Sequence, residues 1–466
     1  MAEPLWQGEA LVAAVGGRAV GPVPDVSGVA FDTREITGGE LFVALQGARD
    51  GHDFLPDAVG RGAAAALVDR PVPGLGPQIV VDDTLRALER LGAAARDRSD
   101  ARRCAVTGSV GKTSVTQAIL AGLKRAGRAH GAVKSFNNHI GVPTTLARMP
   151  RATERAVLEI GMNHPGEIAP LARLVRPHVG VITPVGPVHV EAFTDGEAGI
   201  AAEKASLFAG LERGGTAVLP RDGAWFDVLV RSAMAAGAGR IVTFGEHEAA
   251  DARVLAFTPA GDGARVSASI DGHSLEVALR QSGAHWGPNS LAVLLALEAL
   301  DVPRETALAA LAEFNPLSGR GEEAALALPQ GEVRLIDESY NANPLSMAAA
   351  LKSLGARTPQ GRKIVAVTDM LELGPDADRF HAAIAAQAEA AGVDQVFAAG
   401  PLMQRLWDRL PRDRRGAWAP TAAEIVEPLL ATLRDGDLVM VKGSNGSRAG
   451  LIAAALRDAA AGGKDG

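Results

Sequence analysis

A single cysteine, Cys104, excludes any disulfide within one chain and fits a reducing compartment. Its thiol lies in an apolar run, where it reads as a small buried hydrophobe rather than a nucleophile. Aromatic residues make up only 4% of the chain, and alanine and glycine carry much of the apolar share, a bias of genome composition rather than of function. The 47 lysines and arginines are outnumbered by 54 acids. With no basic run, neither nucleic acid nor an anionic membrane surface is expected as a partner. No stretch reaches the roughly eighteen apolar residues of a membrane span, and the beginning has no basic region leading into an apolar core. The expectation is a cytoplasmic enzyme without membrane insertion, and a monomer.

What is present starts with length. A chain of 466 residues exceeds one ordinary core and suggests three domains of roughly 150 residues each. The stretch around which they are organised is Thr107 to Ser114, TGSVGKTS, between the apolar run Cys104-Ala105-Val106 and a helical pattern with Val115, Ala118, Ile119, Gly122 and Leu123 on one face. A glycine-rich turn between strand and helix points backbone N–H groups at an anion, and the helix start adds roughly half a positive charge. In such a loop Thr107, Gly108, Ser109, Val110, Gly111 and Ser114 cradle phosphates, Lys112 reaches the outer ones, and the Thr113 hydroxyl helps hold magnesium. Val106 stands where the general phosphate-loop pattern has its first glycine, so the motif is the shorter TGxxGK[ST].

From the start to about Ser99 the pattern is a small α/β unit with strands near Gly28 to Phe31, Leu41 to Leu45, Ala64 to Val68 and Gln78 to Val81. A helix is expected over Asp83 to Asp97. The second unit, to about Phe314, alternates apolar runs at Ala156 to Ile160, Val179 to Thr183, Ala217 to Leu219 and Ile241 to Phe244 with helical stretches, as in a doubly wound, mostly parallel sheet. Glu159 closes one of those runs, at the edge where such sheets bind ligands. Arg253 to Leu279 reads as an antiparallel insert with Gly-Asp-Gly and Asp-Gly turns, and helix resumes near Pro288. The third unit begins near Leu317 and reads as a second Rossmann-like sheet, with no GxGxxG of its own. The fold class is therefore α/β with three domains, bounded at 1–99, 100–316 and 317–466.

Taken in order, the motifs FDTR, GELFVALQG, DGHDF, TGSVGKTS, NNHIGVP, EIGMNHPGEI, GPVHVEAF, EKASLF, DESYNANP, DMLELG and VKGS resemble the Mur ligase family over essentially the whole chain. The run Ser339 to Pro344, which holds the only tyrosine, points to the branch that adds D-alanyl-D-alanine. The resemblance implies that Asp32, Thr33 and Arg34 form the uridine and pyrophosphate pocket of a UDP-N-acetylmuramoyl-tripeptide, and that Lys112 and Thr113 hold ATP and a first Mg2+ completed by Glu159. It implies a second Mg2+ held by Glu159 and His189, beside a Lys204 carbamylated by carbon dioxide. Asn137, Asn138 and His139 would face the reacting phosphate, and His285 and Asn289 the adenine. Arg320 and Asp337 would reach the nucleotide from the third domain, Tyr340, Asn341 and Asn343 would place the incoming D-Ala-D-Ala, and Lys442 and Ser444 would line its pocket.

The implied chemistry is transfer of the γ-phosphoryl group of ATP to the terminal carboxylate of the tripeptide, followed by attack of the dipeptide amine on the acyl phosphate. Three other readings stay open on the residues alone. They are the sister ligase that adds the third amino acid, folylpolyglutamate synthetase, and a nucleotide-binding switch that performs no ligation. The first hundred residues argue against the second of these, because that enzyme has no UDP-binding first domain.

Overall fold

Short β-branched and alanine-rich runs alternate with helices along the chain, and the central parallel runs, such as Val179–Ile182 and Leu438–Lys442, become strands buried on both faces, whereas the edge and antiparallel strands keep one face partly exposed. The computed structural model describes residues 3–132, 135–260 and 263–462. Its strands form three sheets. The first has the order Arg18–Val20, Gln78–Val80, Ala65–Val68, Glu40–Val43, Gly28–Ala30, parallel except for the Arg18–Val20 edge. The helix Thr84–Asp97, capped by Asp83 through the Arg86 N–H, packs Leu88 and Leu91 against it and leads into the second unit.

The central sheet has nine strands, and its inner order is Thr216–Pro220, Val179–Ile182, Arg102–Thr107, Arg155–Glu159, Ala129–Gly131, all parallel. Chain order reverses at Arg102–Thr107, with a later strand on either side of it, so the crevice that such a reversal opens lies beyond Thr107 and Glu159. Arg240–Gly245 extends this sheet, and the stretch expected to be an antiparallel insert continues it. Ala252–Ala260 pairs parallel with Arg240–Gly245, and Gly263–Ile270 and His273–Leu279 follow antiparallel. Asp271 and Gly272, both at positive φ, make the two-residue turn between the last two, whereas the Gly261-Asp262 turn lies outside the described residues.

The third sheet runs Glu322–Leu328, Gly331–Glu338, Leu438–Lys442, Lys363–Thr368, Gln395–Ala399, Arg415–Ala419, antiparallel only at its first pair. The carboxyl ends of Gly331–Glu338 and Leu438–Lys442 face the crevice of the central sheet. Tyr340 Oη donates to Ser135 Oγ (3.2 Å), and Leu345 packs on Gly186 between the two units.

Candidate active site

The phosphate loop is held by its neighbour strand more than by itself. Ser109 N–H donates to the Pro184 carbonyl (3.0 Å), and Ser109 Oγ exchanges hydrogen bonds with Gly186 N–H (3.0 Å) and the Gly186 carbonyl (2.9 Å). Thr183 Oγ1 donates to the Val110 carbonyl at 2.6 Å. Gly108 has φ +145°, and a Cβ there would stand 2.0 Å from Thr183 Oγ1. Only glycine lets the loop lie this close to Thr183. Gly111, at φ +82°, precedes the helix Lys112–Ala126, and the Asn289 amide lies beneath it.

Lys112 Nζ curls back onto the Gly108 carbonyl (2.9 Å), and burial pulls its pKa below the ordinary lysine value, with Glu159 opposing and Arg320 adding to the fall. Thr113 Oγ1 lies 3.2 Å from Ser135 Oγ and accepts from Arg320 Nη2 at 3.0 Å. The guanidinium therefore covers the hydroxyl that the motif assigns to a metal. Arg320 also sits 3.9 Å from the Tyr340 ring centroid, so one cation from the third unit bridges the mouth of the loop.

These groups open into a cavity of about 480 Å³, a size that suits a nucleotide-scale ligand. Ser109 to Ser114, Asn137, Asn138, Glu159, His189, His285, Asn289, Arg320, Tyr340, Asn341, Asn343 and Lys442 all line it. Glu159 is buried and accepts from Asn137 Nδ2 at 2.7 Å, while Asn137 O accepts from Gly161 N–H at 2.8 Å. Asn138 Oδ1 accepts from the N–H groups of Ile140 and Gly141, which anchors the start of the helix Gly141–Ala147. His189, in the left-handed conformation at φ 57°, pairs through Nδ1 with Glu372 Oε2 (2.5 Å), and burial lowers its pKa against the pull of that carboxylate. His285 and Asn289 open the helix Trp286–Ala299, and burial lowers the His285 pKa as well.

From the third unit, Asn343 Oδ1 accepts from Ser346 N–H in a reciprocal cap of the helix Pro344–Gly355. Lys442 Nζ, almost wholly buried, donates to Glu338 Oε2 (3.3 Å) and to the Asn341 carbonyl (3.1 Å). Ser444 Oγ accepts from Leu371 N–H and donates to the Ala342 carbonyl.

Other expected residues stand apart from the cavity wall. Thr107 and Gly108 lie behind the loop, and His139 is exposed at the outer end of its segment. Lys204 is only 1% exposed, and among the described residues its Nζ makes no hydrogen bond or ion pair. Burial drives its pKa well below the ordinary lysine value; Lys112 adds to this, and Glu203, Glu159 and Glu167 oppose it. Asp32 caps the turn Thr33–Glu35 and holds Arg34 in a two-armed ion pair (2.5 Å), on the first unit away from the cavity.

Asp337 stands off the cavity wall. It accepts from Arg457 Nη1 (2.7 Å) and from Ser339 N–H and Oγ, so it faces the last helix and not the nucleotide cavity. The next residue on the strand, Glu338, points the other way and lines the cavity. Period-two alternation could have signalled Glu338, but only with the burial of one face known beforehand. Among the described residues, no group of three or more His, Cys, Asp or Glu side chains is arranged to hold a metal. No helix of the described residues is long and apolar enough to cross a membrane.

Three family models match in overlapping or successive segments: the Mur ligase family catalytic domain over residues 25–119, the Mur ligase middle domain over 106–297, and the Mur ligase glutamate ligase domain over 323–445. The UDP-N-acetylmuramoyl-tripeptide--D-alanyl-D-alanine ligase of Escherichia coli (strain K12) is 36% identical over 80% of this chain and 81% of its own. The enzyme of that name from Synechocystis sp. is 32% identical over 92% of each chain. Among solved structures, MurF from Acinetobacter baumannii superimposes with a TM-score of 0.86 at 26% identity, over 98% of this chain and 99% of its own. Family segments in chain order, relatives of matching length and a shared three-sheet architecture lead to one conclusion: the chain belongs to the Mur ligase family.

Proposed function

We propose that this protein is an ATP-dependent ligase that joins D-alanyl-D-alanine to UDP-N-acetylmuramoyl-tripeptide, making the pentapeptide precursor of peptidoglycan. The observation that carries the reading is a single cavity walled on one side by a phosphate loop and on the other by the segment Glu338 to Asn343 with Lys442. A carboxylate is a poor electrophile, and phosphorylation by ATP turns it into an acyl phosphate that the free amine of the dipeptide can attack. The carbon–oxygen bond to phosphate then breaks as the peptide bond forms. Lys112 and the amides of Gly111 to Thr113 neutralise the transferring phosphoryl group, which the substrate carboxylate would otherwise repel. Arg320 and Tyr340 close over the loop and keep water from the acyl phosphate.

Thr113 Oγ1 and the Glu159 carboxylate are hard oxygen donors that suit Mg2+, and His189 would complete a second position once released from Glu372. Bound there, magnesium supplies charge neutralisation between phosphates and carboxylate. Arg320, which donates to the Thr113 hydroxyl, would have to give up that bond for Thr113 to hold a metal. A buried Lys204 with no carboxylate bonded to it suits the neutral amine that adds carbon dioxide, and the carbamate would return a negative charge beside Glu159. Asp32, Thr33 and Arg34 are assigned to the uridine diphosphate end, His285 and Asn289 to the adenine side, and Tyr340, Asn341 and Asn343 to the dipeptide. Asn138 and His139 are assigned to the loop at the reacting phosphate. The working units are 1–99, 100–316 and 317–466, in a cytoplasmic monomer.

The test is substrate dependence. ADP release that requires the UDP-muramyl tripeptide and D-Ala-D-Ala together, with a pentapeptide product by mass spectrometry, supports the ligase. Release indifferent to both substrates overturns it in favour of a nucleotide-driven switch.

A further inference from the structure

Two segments that matter at opposite ends of the substrate meet through the residues that precede them. Phe31, just before Asp32, and Phe136, just before Asn137, pack with ring centroids 5.7 Å apart and planes tilted by 55°. Arg148, which follows the helix Gly141–Ala147, reaches the same point, its guanidinium carbon 5.8 Å from the Phe136 centroid. Its Nε donates to the Val29 carbonyl (2.6 Å) and its Nη2 to Glu35 Oε2 (2.7 Å). Val29 and Glu35 flank the stretch Asp32 to Arg34, so one side chain grips that stretch at both ends. On the far side, Phe136 leads directly into Asn137, which is fixed to Gly161 N–H and to the Glu159 carboxylate.

The bracket is separate from the general docking of the first unit. That is provided by Trp6 Nε1, which donates to the Ala147 carbonyl (2.9 Å), by Arg98 Nη2, which donates to the Met149 carbonyl (3.2 Å), and by Arg96 Nη1, which donates to the Leu174 carbonyl (2.6 Å). Removing the bracket therefore leaves the units attached but loosens the Asn137 loop against the first unit.

We propose that Phe31 and Arg148 are positioning residues for the ligation. They hold the Asn137 loop, and through it Glu159, at a fixed offset from Asp32 to Arg34, so that binding at the uridine diphosphate end places the carboxylate at the other end for phosphoryl transfer. This rests on the ligase reading above. A substrate gripped at one end by one unit and reacted at the other end in a second unit gains rate from its remote contacts only if the units hold register. Misplacement by about 1 Å can cost on the order of a hundredfold.

The experiment compares the full UDP-muramyl tripeptide with a muramyl tripeptide lacking uridine diphosphate, at saturating ATP and D-Ala-D-Ala, in the wild type, Phe31→Ala and Arg148→Lys. The lysine keeps the charge and loses the two-armed geometry. In both variants kcat for the full substrate is expected to fall about tenfold at little-changed KM, while the truncated substrate stays within about twofold of wild type. Equal losses with both substrates, or a raised KM at unchanged kcat, would overturn the proposal. If the wild type turns over the truncated compound too slowly to measure, the kcat-against-KM split on the full substrate decides alone. ADP affinity serves as the check that each variant is folded, and Phe31→Leu replaces any that is not, read by the same criteria. A wild type that forms no pentapeptide at all is a failure of the ligase reading and not of the coupling.

Discussion

Replacing Gly108 with alanine attacks the phosphate loop where it has no slack. At φ +145° a residue with a Cβ is strained by about 1–3 kcal/mol. The new methyl would stand 2.0 Å from Thr183 Oγ1 and 2.8 Å from the Thr183 carbonyl, so the hydroxyl must swing away from Val110 O, which it holds at 2.6 Å. A carbonyl left without its donor costs a further ~1–3 kcal/mol. Together these raise the binding-competent loop by about 2–6 kcal/mol, a loss of ADP affinity of at least about thirtyfold. Because the strain can relax by distorting the loop alone, the loss should appear in calorimetric titration with ADP far more than in the melting temperature. Adding Thr183→Ala removes the side-chain clash and leaves the main-chain one, so it should restore only part of the affinity. A Gly108→Ala protein that binds ADP within about threefold of wild type would show that this loop is not the nucleotide cradle.

Two further outcomes follow from buried ionisable groups. Protein equilibrated with 13C-labelled bicarbonate should show a carbamate resonance that Lys204→Met abolishes, and ligase activity should fall when carbon dioxide is stripped out and return when it is restored; activity indifferent to stripping would remove Lys204 from the site. His381 is fully buried, bonded to Met370 N–H and the Ala377 carbonyl, and burial lowers its pKa from 6.5. The unfolded chain then binds a proton that the folded one refuses. Stability is intact above pH 6.5 and falls as the pH drops below it, by up to ~1.4 kcal/mol per pH unit for this one group. Urea melts of His381→Gln should show a shallower acid slope than wild type, and identical slopes would refute the assignment.

The strand, loop and helix around Thr107 to Ser114 were legible because each signal there is local: an apolar run, glycines at the turn, and side chains recurring at helical spacing. What stayed hidden depended on partners far along the chain. Asp337 and Glu338 are adjacent acids, and partners more than 100 residues away, Arg457 for the first and Lys442 for the second, mark which of them turns from the cavity. The pairing of His189 with Glu372 is equally invisible in one dimension. Glu322–Leu328, reading EEAALAL, is built from helix formers and becomes a strand only because Gly331–Glu338 lies beside it. The helix expected near Pro288 begins at Trp286, since proline needs no N–H partner in a first turn.

The strand Leu438–Lys442 lies between Gly331–Glu338 and Lys363–Thr368, although both are made long before it. A nascent chain that has emerged only as far as Ala419 therefore carries this sheet in two halves, with two unpaired inner edges facing one another. Such edges attract other strands, so the interval before Lys442 arrives is when this unit most needs a chaperone's shelter. The half-sheets also cannot present Lys442 to Glu338, so the cavity is complete only once that residue has been made.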